Sequence, residues 1–151
     1  MIQLLYVSVS NLSGSAEAVE AEVTRILSTA YLNNRKRGLT GILFHCEQYF
    51  AQLIEGAEHE VQAAFEAIKS DGRHHDVTVI FKRPIDAPMA PATAMGCAGI
   101  AGTCPDMLIP TLLQKQRADA HEGAAKTLVE QMLKRARAGE IELPPVAQSA
   151  V

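Results

Sequence analysis

The chain has 151 residues, 48% of them apolar and 21% charged, the balance of one folded domain with a possible appendage and not of a disordered chain. A formal net charge of -3 argues against an electrostatic nucleic-acid binder, and no apolar run reaches the ~18 residues that span a bilayer. Three cysteines are too sparse for a disulfide framework, and the start Met-Ile-Gln-Leu-Leu-Tyr lacks a basic leader, so no secretory signal is expected and a reducing cytoplasm is the expected location.

Residues 2–9 are short, apolar and β-prone, and the Ser-Asn-Leu-Ser-Gly cluster that follows is a turn. A helix is predicted from about Ser15 to Asn33. Val19, Val23, Ile26, Leu27, Ala30 and Tyr31 fall on one face, and Gly38 lies just beyond the basic Arg35-Lys36-Arg37. Leu39 to Cys46 and Tyr49 to Glu55 read as a hairpin around Glu47-Gln48. A second helix runs from about Glu58 to Ser70, with Val61, Ala64, Phe65 and Ile68 on one face and Asp71-Gly72 at its end. Val77 to Phe81 is a fourth strand, stopped near Pro84. Residues 84–93 carry three prolines and read as a loop, and Met95 to Ala101 reads as a short fifth strand weakened by glycine. Pro105 suits the first turn of a third helix, to about Arg117. A fourth, about Glu122 to Ala138, carries Ala125, Leu128, Val129, Met132 and Leu133 on one stripe.

The order β-α-β-β-α-β is the ferredoxin-like split βαβ arrangement, an α+β fold. It makes the first and third strands central neighbours, with both helices over one face. The last two helices form an extension that can cap the free face of the sheet or join a second copy.

Some residues look chemically out of place. Alternation puts Phe50, Gln52 and Ile54 on one face, and Ile2, Leu4, Tyr6 and Ser8 on one face of the first strand. On adjacent strands a phenol and an amide can meet there, either as a paired core group or as a ligand contact. Asn33-Asn34 is either a helix terminus or a pair of carboxamides able to read a flat heterocycle. Asp71-Gly72-Arg73-His74-His75 is either a solvated turn or a place where Arg and His hold phosphate. His45, Cys46, Cys97 and Cys104 match no zinc spacing, so no metal is expected.

Together these residues resemble the BLUF family, flavin-binding blue-light sensor domains. The likeness runs through Leu4-Leu5-Tyr6-Val7-Ser8, Asn33-Asn34, Gly38-Leu39-Thr40-Gly41-Ile42-Leu43-Phe44, Phe50-Ala51-Gln52-Leu53-Ile54-Glu55-Gly56 and Asp71-Gly72-Arg73-His74, over roughly residues 1–100. It implies a flavin held between the two helices, as FAD or alternatively FMN or riboflavin. Tyr6 is similar to the photoactive tyrosine that gives an electron and then a proton, and Gln52 to the glutamine that bridges phenol and ring. Asn34 is similar to the asparagine on the ring's polar edge. Ile26 and Ile68 match its aliphatic walls, Leu43 and Phe50 the pocket lining, Arg73 and His74 the ribityl-phosphate side, and Met95 the fifth-strand methionine. Ser8, Asn33 and Asp71 complete the implied contact set. Where the family often carries an Arg-Phe pair and a Trp before that methionine, this chain has Met89, Ala90 and Thr93.

The expected division is a flavin-binding domain at 1–101 and a helical extension at 102–151. The expected function is that of a non-enzymatic photoreceptor whose output passes through a downstream protein partner or through self-association, a homo-oligomer being expected. Two alternatives remain on the same fold. One is a flavin-free interaction module. The other is an acylphosphatase-like hydrolase using Asn33 or Asn34 with Arg35 or Arg73, although the Asn-Leu-Ser-Gly-Ser loop makes a poor phosphate cradle.

Overall fold

The computed structural model describes residues 1–46, 48–90, 96–97, 108–113 and 118–137. In chain order the elements are β1 (Ile2–Ser10), α1 (Ala16–Arg37), β2 (Thr40–Cys46), β3 (Tyr49–Gly56), α2 (Glu58–Lys69), β4 (His74–Pro84), β5 (Gly96–Cys97), α3 (Leu108–Leu113) and α4 (Ala118–Arg137). The sheet runs β4-β1-β3-β2-β5. Its first four strands pair antiparallel, and β5 joins parallel to β2. This is the ferredoxin-like order, with β1 and β3 at the centre.

The boundaries have local causes. The Ser15 hydroxyl accepts from the Ala18 N–H at the start of α1. The helix passes the expected stop at Asn33 and ends only at Gly38, whose φ of 68° reverses the chain while Leu39 N–H bonds the Asn34 carbonyl at 2.8 Å. Arg35, Lys36 and Arg37 fill its last turn, where the helix dipole favours cations. β4 is longer than the expected Val77–Phe81, because it lies at the sheet edge. There polar His74, His75 and Asp76 and even Pro84 are tolerated. Of the expected fifth strand, Gly96–Cys97 pairs with β2, and the rest lies outside the described residues, as does the 101/102 boundary.

Both faces of the sheet are covered. On one, Ile2, Leu4, Tyr6 and Ile54 pack with Val61 and Phe65 of α2, while Leu43 and Phe50 pack with Val23 and Leu27 of α1. On the other, Leu5, Val7, Ile42, Phe44, Ala51 and Leu53 meet Ile109, Leu112, Leu128 and Met132 of α3 and α4. Fully burying such side chains contributes roughly 1.5–3 kcal/mol each, so α3 and α4 share one core with the sheet. At Gly41 a Cβ would lie 2.3 Å from the Leu53 carbonyl oxygen, so β2 approaches β3 there without room for a side chain.

Candidate functional site

α1 packs against β2, and α2 against β1 and β3. Between the helices lies a cavity of about 210 Å³. Two ion pairs tie its ends. Arg37 in the last turn of α1 meets Glu60 in the first turn of α2 at 3.1 Å, and Arg73 beyond α2 meets Glu22 of α1 at 3.4 Å.

The floor is β-sheet. Tyr6 and Gln52 are register partners across β1 and β3, both buried, and the Tyr6 hydroxyl donates to Gln52 Oε1. Burial, and secondarily the nearby Asp71 charge, push the phenol well above its ordinary pKa, so it remains protonated. Phe65 lies 5.7 Å and His74 6.1 Å from the Tyr6 ring, centroid to centroid. Leu43 and Phe50 continue the floor towards β2.

The walls are helical. Ile26, Thr29, Ala30, Asn33, Asn34 and Arg37 line the cavity from α1, and Ala64, Ala67 and Ile68 from α2. Ile26 and Ile68 are thus aliphatic surfaces on the two opposite walls. Asn34 is 5% exposed, so its carboxamide belongs to the inner part of the wall.

Asp71, Arg73 and His74 complete the lining. The Arg73 guanidinium holds the Asp71 carboxylate through Nη2 at 2.6 Å and Nε at 2.9 Å. The Arg73 hydrogen bonds lower the Asp71 pKa despite partial burial, and the Asp71 bonds raise that of Arg73. His74 Nε2 lies 2.7 Å from the Ile68 carbonyl oxygen, which can only accept, so that nitrogen carries hydrogen. In the neutral ring Nδ1 then accepts from the Ser8 hydroxyl at 2.8 Å. His74 therefore ties β1 to the C-terminal end of α2.

Eleven of the thirteen implied contact residues line this cavity. Ser8 does not; it is fully buried and bonds Nδ1 of His74, the residue that lines the cavity in its place. Met95 lies outside the described residues. Thr29, Ala30, Arg37, Ala64 and Ala67 also line the cavity without being among the implied contacts. Thr29, Ala30 and Arg37 lie three, four and eleven residues after Ile26, and Ala64 lies four before Ile68, on the same helix faces. The small side chains among them leave width between the walls.

The donor set fits a flavin. It offers apolar surfaces on two sides for a flat ring, a phenol–amide pair at the floor, and carboxamides able to meet a ring edge carrying both donors and acceptors. Among the described residues no cluster of His, Cys, Asp and Glu could hold a metal ion, and no helix is long and apolar enough to cross a membrane.

Comparison with known proteins converges on one family. Residues 1–96 match the family described as "BLUF: Sensors of blue-light using FAD". The chain is 31% identical over 71 residues to photoactivated adenylate cyclase subunit beta of Euglena gracilis, which covers 47% of this chain and 8% of that protein. It is 32% identical over 79 residues to the blue light- and temperature-regulated antirepressor BluF of Escherichia coli K12, covering 52% and 18%. Among solved structures, "BlsA ground state" superposes with a TM-score of 0.68 at 21% identity, covering 87% of each chain. "BlrB - a BLUF protein, dark state structure" superposes with a TM-score of 0.66 at 23% identity, covering 88% of this chain and 95% of that one. The chain thus spans less than a fifth of either curated relative, and the structural likenesses establish the fold.

Proposed function

The chain belongs to the BLUF family, sensors of blue light using FAD, and from that premise we propose that it holds a flavin non-covalently between α1 and α2 and reports blue light through Tyr6 and Gln52. The observation that carries the reading is the buried hydrogen bond from the Tyr6 hydroxyl to Gln52 Oε1 on the cavity floor. Bound there, the flavin supplies the light absorption and an electron-accepting ring.

The chain's own residues supply the rest. Tyr6 Oη holds the mobile proton, and burial keeps it from leaving to solvent. Gln52 has an acceptor end and a donor end of nearly equal size. Turning its amide over exchanges acceptor for donor with little steric cost, which gives two states of one site. Ile26 and Ile68 exclude water from two sides, and Asn33 and Asn34 orient the ring's polar edge.

FAD is the proposed form, with FMN and riboflavin as alternatives. Arg73 and His74 are the groups available to its ribityl-phosphate side, although Arg73 already carries Asp71 and Glu22. A phosphate would share Arg73 with those carboxylates, Asp71 holding the guanidinium in place for it. The hydrolase alternative, which needs a cation for the substrate anion, is weakened by the same engagement of Arg73 and by the absence of Arg35 from the cavity lining. We assign no catalytic role to this chain. Signalling would pass to a downstream protein or through a homo-oligomer, in the cytoplasm.

Absorption spectroscopy tests the reading. The purified protein should carry an oxidised-flavin spectrum that shifts reversibly to the red in blue light. Gln52→Leu should retain flavin and lose the shift. A colourless protein that takes up no added flavin, or a normal shift in Gln52→Leu, overturns it.

A further inference from the structure

Among the described residues Glu55 is the one buried carboxylate, 1% exposed, and it faces away from the cavity. Alternation along β3 sets Ala51, Leu53 and Glu55 towards the layer of α3 and α4, opposite Gln52. Nothing about flavin binding requires an acid there. A charge so placed is tolerated only when its oxygens are well paired, and here they are. Oε2 accepts from Gln3 Nε2 at 2.8 Å and from the Met89 N–H at 2.9 Å. Oε1 accepts from the Ala90 N–H at 2.8 Å and from the Thr40 hydroxyl at 3.2 Å. Each oxygen takes one bond from the sheet and one from the segment that leaves β4. The Gln3 amide is oriented in turn, its carbonyl accepting from Arg83 Nε at 2.8 Å.

We propose that Glu55 is a positioning residue that transmits the state of the Tyr6–Gln52 pair to residues 85–90 on the opposite side of the sheet. The proposal rests on the photosensor reading above. Its geometric basis is register. Tyr6 pairs with Gln52, and three steps along the same two strands Gln3 pairs with Glu55, roughly 10 Å away. Leu4, Leu5, Leu53 and Ile54 fill the interval and are all buried, so close packing leaves little slack between the pairs. A change in how Tyr6 and Gln52 hold each other alters the spacing of β1 and β3, and the next polar cross-strand pair experiences it.

Glu55 converts that change into a release. Its bonds to Gln3 and Thr40 fix the carboxylate relative to the sheet, and its bonds to Met89 and Ala90 fix the segment relative to the carboxylate. Loss of alignment on the sheet side misplaces the acceptors of both backbone N–H groups. Ala90 packs in the same apolar cluster as Ile109, Leu112 and Met132, so release of the segment reaches α3 and α4.

Hydrogen exchange at the Met89 and Ala90 amides, measured on the flavin-loaded full chain in darkness and under blue light, tests this. Illumination should speed exchange at both amides about tenfold as their charged acceptor is withdrawn. Glu55→Gln should exchange rapidly in both conditions while keeping the flavin spectrum and its red shift, because position 55 does not face the cavity. Equal dark and light rates in the natural chain, with the red shift intact, would make Glu55 a static tie and overturn the proposal alone. Dark protection surviving in Glu55→Gln overturns it as well. Absence of any red shift removes the photosensor reading and this proposal together. Should Glu55→Gln fail to fold, the comparison on the natural chain still decides.

Discussion

The imidazole of His45 lies against the ring of Phe50, centroids 4.6 Å apart, and both its nitrogens are buried with no hydrogen-bond partner among the described residues. Burial lowers its pKa, so the folded chain holds the ring neutral. The unfolded chain takes up a proton near pH 6.5, and the folded chain only at lower pH. Stability therefore declines as pH falls below about 6.5. His45→Phe keeps the ring, removes the unpaired nitrogens, and should raise unfolding free energy by about 1 kcal/mol at pH 7. The gain should widen at pH 5. Denaturant titrations at the two pH values check both statements; a variant less stable at each would show that the ring finds a partner.

Tyr6 gives the opposite slope at the alkaline end. Its pKa is raised by burial first and by Asp71 second, so the folded chain keeps the phenol proton above pH ~10, where the unfolded chain loses it. Stability contributed by the neutral phenol is present below that value and declines as pH rises past it. Tyr6→Phe should flatten the decline. It should also abolish the light-driven red shift while leaving flavin bound, which one absorption series can record.

Asp71 should govern acid release of the ligand. Arg73 hydrogen bonds lower its pKa, so its contribution is present above the ordinary carboxylate range and is lost as pH falls through the lowered value. The pair is about a third exposed, and solvent screening holds its worth to roughly 1 kcal/mol or less. Asp71→Asn should shift the thermal midpoint only slightly but loosen Arg73 and His74. Flavin dissociation rates measured from pH 7 down to pH 4 should rise in the natural chain and vary less in the variant.

Gly38 isolates a backbone effect. Its φ is 68°, and an added Cβ would meet nothing within 4 Å. Gly38→Ala should therefore cost about 1 kcal/mol through the left-handed conformation alone, read as a lower thermal midpoint. Because the turn it makes brings Leu39 N–H to the Asn34 carbonyl, flavin affinity should fall with it.

The sequence carried the fold where apolar period was strong. Val61, Ala64 and Phe65 mark α2, and alternation puts Gln52 on one face with Phe50; that this face fronts a cavity is visible only in the structure. The stop signals of α1, Gly38 and the basic Arg35-Lys36-Arg37, are legible, but the helical turn between Asn33 and Gly38 is not, because Asn33-Asn34 reads equally well as a terminus. The edge strand was cut short because His74, His75 and Asp76 look like loop residues until β4 is known to lie at a sheet edge. The role of Glu55 was illegible. Its partners Met89 and Ala90 lie 34 and 35 residues further on, and no local pattern announces a bond from a strand to a loop on the far side of the sheet.

The alternation of β3 carries an evolutionary consequence. Gln52 fronts the cavity, and its neighbours Ala51 and Leu53 front α3 and α4. A single inserted or deleted residue between Tyr49 and Glu55 would exchange the two sets, turning the amide into the helical layer. Divergence within this strand is thus confined to replacing side chains unless a β-bulge, of the kind that interrupts the pairing of β1 with β4, restores the alternation.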